Sequence, residues 1–169
     1  MKLSLKEAIL FALLGDLMFA SKLIMELLPN MHLLAVLTVV YTVVFRQKAL
    51  YPIGVFVTLS GLFYGFATWW IPYLYIWTLL WGAVMLIPRK LPAHWYYILC
   101  VIACGLHGFL YGVMYAPAQA LLFGLNFEGM IAWIVAGFPF DITHGISNLL
   151  MGLLIAPLVK ALQAAKKRL

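Results

Sequence analysis

Six apolar runs, most of them near the length that carries a helix across a bilayer, fill nearly the whole chain, and the breaks between them are short. A membrane-spanning helix needs about 20 predominantly apolar residues. Taken from the polar breaks, the spans run from about residue 6 to 28, 32 to 45, 50 to 67, 73 to 87, 96 to 115 and 139 to 162. With 66% of 169 residues hydrophobic and only 9% charged, nothing is left over for a soluble catalytic domain. The fold expected is therefore one all-α integral membrane domain with six transmembrane helices.

The breaks have their own chemistry. Pro29 and Asn30 favour a turn, the cluster Arg46, Gln47, Lys48 follows the second run, TWWIPY with Pro72 follows the third, and PRKLPAHW follows the fourth. The segment APAQALLFGLNFEG mixes polar and apolar residues as a short interfacial helix does. The last apolar run is interrupted at Gly137, Phe138 and Pro139, and because proline favours the first turn of a helix, the sixth span is expected to start at Pro139. The N-terminal run is too long for a signal peptide, contains Asp16 and ends in no small-residue cleavage site, so it reads as a retained first helix.

Charge fixes the expected orientation. If the N-terminus is cytoplasmic, Lys2, Lys6, Arg46, Lys48, Arg89, Lys90, Lys160, Lys166, Lys167 and Arg168 all lie on the cytoplasmic side, ten of the eleven cations, and only Lys22 lies elsewhere. This is the positive-inside pattern, and it puts both termini in the cytoplasm of a prokaryotic cell with the protein in its plasma membrane. The formal charge of +6 is thus a topology signal and not a nucleic-acid surface.

The opposite side is aromatic and proline-rich. Trp69, Trp70, Tyr73, Tyr75 and Trp77 fall within nine residues, more than one interfacial belt requires. From Pro139, Asp141 would sit in the first turn of the sixth span, where the helix dipole favours a carboxylate, with His144 and Asn148 following on the same face. Three polar groups descending into a membrane need partners or a cavity. Partners within the chain are His107, Asp16, Asn30, His32 and the pair Lys22 and Glu26, spaced to neutralise each other. Asp141 hydrogen-bonded to His107 or His144 is one reading; an outward pocket with aromatic walls and convergent polar groups is the other.

Smaller motifs point to packing. GLFYG (Gly61 to Gly65) and GFLYG (Gly108 to Gly112) are GxxxG elements that let membrane helices approach closely. Ala8, Ala12, Asp16 and Ala20 recur every four residues, either for packing inside the bundle or as a docking strip for another membrane protein. Cys100 and Cys104 share one helix face and read as packing residues. No P-loop, HExxH, GxSxG or paired-cysteine metal signature occurs, and the four histidines lack metal-type spacing, so nothing in the sequence calls for a cofactor or a metal. An enzyme would have to rest on Asp141 and His144 alone, and the expectation is that the protein is not one.

Six short spans with both ends inside, the AxxxA of Ala8 and Ala12, and a last helix entered through Gly137, Pro139, Phe140, Asp141, His144 and Asn148 resemble the substrate-binding S components of energy-coupling factor (ECF) vitamin transporters. The resemblance implies capture of a vitamin or related micronutrient at the outer face, then delivery through a membrane T component powered by two cytoplasmic ATPases. It also implies a site: Trp69, Trp70, Tyr73 and Trp77 stacking on a planar ligand, with Tyr111, Tyr115, Gln119, Asp141, His144 and Asn148 as polar contacts. Asn30 and His32 belong to the loop from Leu27 to Leu33, which would be the lid, and His107 completes the set. Ala8 and Ala12 would meet the T component. The rival expectation is a self-sufficient proton-coupled carrier in which Asp141, His144 and His107 relay protons.

Overall fold

The computed structural model describes residues 3–27 and 31–167. Among them the chain forms eight α-helices: α1 (Leu5–Met25), α2 (Leu34–Phe45), α3 (Leu50–Tyr64), α4 (Trp70–Leu86), α5 (Ala93–Phe109), α6 (Tyr111–Phe123), α7 (Phe127–Gly152) and α8 (Ile155–Lys166). A 3-10 turn, Arg46–Ala49, joins α2 to α3. By length and composition alone, three stretches among the described residues are long and apolar enough to cross a membrane, namely Leu5–Met25, Leu34–Tyr64, which the Arg46–Ala49 turn divides into α2 and α3, and Phe127–Gly152, and a fourth is counted when α5 and α6, bent by 41°, are taken together.

The starts and stops follow local chemistry. Ser4 caps α1: its hydroxyl accepts from the Glu7 amide at 3.2 Å while the Ser4 amide donates to the Glu7 carboxylate at 3.1 Å, the reciprocal capping box. Gly65, at φ +87°, ends α3, and Gly124 in the left-handed region ends α6. Asn126 then caps α7 by accepting from the Gly129 amide at 2.8 Å.

Every one of the twelve residues of α2 is buried, so this helix is the axis of the bundle. Two of its three hydroxyls are satisfied by backbone: Thr42 donates to the Thr38 carbonyl at 2.7 Å and Tyr41 to the Leu14 carbonyl at 3.0 Å. The pairing of residues gives the helix directions. Glu7 meets Lys48, Phe11 stacks on Tyr51 at 5.8 Å and Phe19 packs on Phe63 at 5.4 Å, so α1 and α3 run parallel. Phe45 packs on the same Phe11 at 5.1 Å, so α2 runs against both and the chain turns back at Arg46, whose φ is +56°. Trp70 donates to the Val57 carbonyl and Trp81 to the Arg46 carbonyl, laying α4 antiparallel to α3.

Two expectations are corrected. The segment APAQALLFGLNFEG is not a separate interfacial helix: most of it belongs to α6, a continuation of α5 past a bend at Leu110, and its end opens α7. Nor does a helix start at Pro139. It lies inside α7, which begins twelve residues earlier at Phe127 and ends at Gly152, with α8 following. A proline inside a membrane helix forfeits one hydrogen bond, which helix context tolerates. The Asn126 cap, not the proline, sets the start. The two GxxxG elements also separate. Gly108 lies against the backbone of Gly145, bringing α5 onto α7, whereas Gly61 makes room for the rings of Phe66 and Trp70, and Gly65 is the terminator just described.

Candidate functional site

The bend between α5 and α6 builds the site. Leu110, at the bend, caps the start of α6, so the Gly112 amide lies in the first turn, where helix N–H groups point outward for an acceptor. Asp141 supplies one from α7: its two carboxylate oxygens lie 3.1 and 3.0 Å from the Gly112 nitrogen. A carboxylate at a helix N-terminus is favoured by the dipole, so the expected stabilisation is present, but at α6 and not at the helix that carries Asp141. A side chain at Gly112 would collide with that carboxylate.

Above this contact opens a cavity of about 490 Å³, between the start of α2, the first half of α4, α6 and the middle of α7. His32, Tyr73, Trp77, Tyr111, Tyr115, Gln119, Asp141 and His144 line it, eight of the residues singled out in the sequence. Their rings form a chain of contacts: Tyr73 to Trp77 at 5.7 Å, Trp77 to Tyr111 at 6.4 Å, Tyr111 to His144 at 5.0 Å and His144 to His32 at 6.3 Å. Asp141, His144 and Asn148 do share the buried face of α7.

Four expected site residues lie outside the cavity wall. Trp70 ties α4 to α3 through its indole N–H, 2.8 Å from the Val57 carbonyl. Trp69 stands behind the wall, packed edge-on against Tyr73 at 5.4 Å, while its carbonyl accepts the Tyr115 hydroxyl at 3.2 Å. His107 is buried behind Trp77, 5.5 Å between rings, with Nε2 3.2 Å from the Ile76 carbonyl. Since a carbonyl only accepts, Nε2 carries the proton. Asn148, fully buried one helical turn below His144, donates to the Cys104 carbonyl at 3.1 Å and joins α7 to α5. Asn30 lies outside the described residues.

Five wall residues were not anticipated: Leu34, Gly112, Trp133, Gly137 and Phe140. Trp133 stacks on Tyr115 at 5.7 Å and closes the far side. The signal for it was the α7 start. Once Asn126 is taken as the cap, stepping back by four from Asp141 gives Gly137 and Trp133 on the same face. Among the described residues no group of three or more His, Cys, Asp or Glu is placed to hold a metal ion.

At the other end of α1, Ala8, Ala12, Asp16 and Ala20 are all exposed, so this strip is not buried by its own bundle. Lys22 and Glu26 form the expected pair at 2.9 Å, with the ammonium 3.8 Å from the centre of the Tyr64 ring. In comparisons with family models, with curated proteins and with solved structures, nothing matches this chain.

Proposed function

We propose that this protein is the substrate-capture subunit of an ECF-type importer, holding a vitamin-like small organic molecule at the outer face of a prokaryotic plasma membrane. In this reading the chain crosses the membrane six times, by α1, α2, α3, α4, the bent pair α5 and α6, and α7, with both termini in the cytoplasm. The alternation of helix directions and the basic residues gathered away from the cavity end support it. The observation that carries the reading is the cavity itself: aromatic walls, a few convergent polar groups and a volume typical of small-molecule sites. With no nucleotide-binding motif in the sequence, energy would come from a T component and two ATPases. The exposed Ala8 and Ala12 strip is the surface offered to the T component. The protein is not an enzyme in this reading.

Two measurements test it. Purified protein is denatured and the released small molecules are identified by mass spectrometry; one compound near stoichiometry is expected. That compound is then offered to liposomes containing the protein alone. A capture subunit binds it without accumulating it, whereas uptake driven by a pH gradient would identify a proton-coupled carrier instead. Against the carrier, no hydrogen bond joins Asp141, His144 and His107 among the described residues.

A further inference from the structure

Asp141 is the one carboxyl among the described residues that line the cavity. Asp141 is 5% exposed, and among the described residues its two oxygens share a single donor, the Gly112 amide. An ionised carboxylate has about four acceptor positions, so one N–H leaves it far from satisfied, and a buried carboxylate without enough partners is costly. Among the described residues no lysine or arginine lines the cavity. Lys22 is held by Glu26, and no other salt bridge is present at this end among the described residues.

The walls carry the same sign preference. Tyr73, Trp77, Tyr111, Tyr115 and Trp133 surround the space with aromatic rings, whose faces are negative and attract organic cations. A ligand carboxylate or phosphate would face Asp141 as a like charge, and among the described residues the wall offers it the imidazoles of His32 and His144 but no lysine or arginine. At the same wall the buried indole N–H of Trp77 and Nδ1 of His32 have no hydrogen-bond partner among the described residues. The indole can only donate, so it calls for one acceptor.

Resting on the capture reading, we infer that the cavity takes a planar organic cation, or a heteroaromatic with N–H donors on one edge, that edge meeting Asp141 and the ring enclosed by Trp77, Tyr111, Tyr115 and Trp133. Acidic and phosphorylated molecules are disfavoured by the Asp141 carboxylate.

The test uses three planar probes of nearly equal shape and different charge: naphthalene-2-carboxamidine, naphthalene-2-carboxamide and 2-naphthoate. Each is equilibrated by dialysis against the full chain in a neutral maltoside detergent, with uptake by empty micelles subtracted. The amidine is expected to bind at least about tenfold more tightly than the other two. Asp141→Asn should abolish most of that preference, because the amide oxygen keeps the Gly112 contact while the charge is gone. If 2-naphthoate binds as well as the amidine, the charge assignment falls and the capture reading stands. A preference that survives Asp141→Asn also overturns the assignment. Failure of all three to bind overturns the charge assignment, and the capture reading then falls only if denatured protein releases no small molecule. Should the variant not fold, the wild-type order of the three probes decides alone.

Discussion

Gly108 of α5 and Gly145 of α7 meet backbone to backbone, so that a Cβ added at Gly108 would lie 2.8 Å from the Gly145 Cα. Lipid gives no hydrophobic drive for two helices to pair, and close approach of small residues is what supplies the packing energy instead. Gly108→Ala is therefore expected to destabilise the protein by about 1–3 kcal/mol, the usual range for overpacking. Gly54, with open space around it, is the matched control. Thermal melting in detergent checks this, with a clear drop expected for Gly108→Ala and none for Gly54→Ala.

Asn148 belongs to the same seam. Its amide donates to the Cys104 carbonyl, and it does not line the cavity. Asn148→Ala should lower stability by about 1 kcal/mol, the typical net worth of a hydrogen bond. Affinity for naphthalene-2-carboxamidine should stay within about threefold of wild type. A tenfold loss of affinity with unchanged melting would return Asn148 to the binding site.

The helical class and most of the cavity wall were legible because long apolar runs leave few choices. Apolar runs must be helices, and polar residues within them must find partners. Asp141 and His144 stood out for that reason. Placement within the last helix was not legible from Pro139, since a local breaker lost to the Asn126 cap and to the glycine-lined packing on α5. That shift hid Trp133. The roles of Trp69, Trp70 and His107 were hidden differently: sequence marks an aromatic or a histidine as notable, but which backbone carbonyl it meets depends on helix rotation. The Gly112 to Asp141 contact arises from a bend that no residue type at Leu110 announces.

Trp133 and His144 face the cavity from successive parts of α7, Trp133 stacked on Tyr115 and His144 5.0 Å from Tyr111. Removing either ring opens the wall and deletes contact area with anything held inside. Trp133→Ala and His144→Ala are each expected to weaken amidine binding at least about tenfold, or 1.4 kcal/mol. Trp95→Ala, an exposed ring at the start of α5 and away from the cavity, should leave binding unchanged. The same equilibrium dialysis measures all three, and an unaffected Trp133→Ala would remove that ring from the site.

The alanine strip separates binding from assembly. Ala8 and Ala12 are exposed on α1, on the face that also presents Asp16 and Ala20, while Phe11, Leu14 and Met18 turn into the core. A bulky residue on the exposed face meets lipid and no neighbour in the chain, and surface changes of this kind usually alter stability by no more than about 0.5 kcal/mol. Ala8→Trp should thus fold and bind the amidine as wild type does. Against a partner helix packed closely on small residues, the same ring would collide. Co-purification with a co-expressed T component and its two ATPases is expected to be lost in Ala8→Trp. Recovery of an intact complex with the variant would leave the strip facing lipid and move the docking surface to another helix.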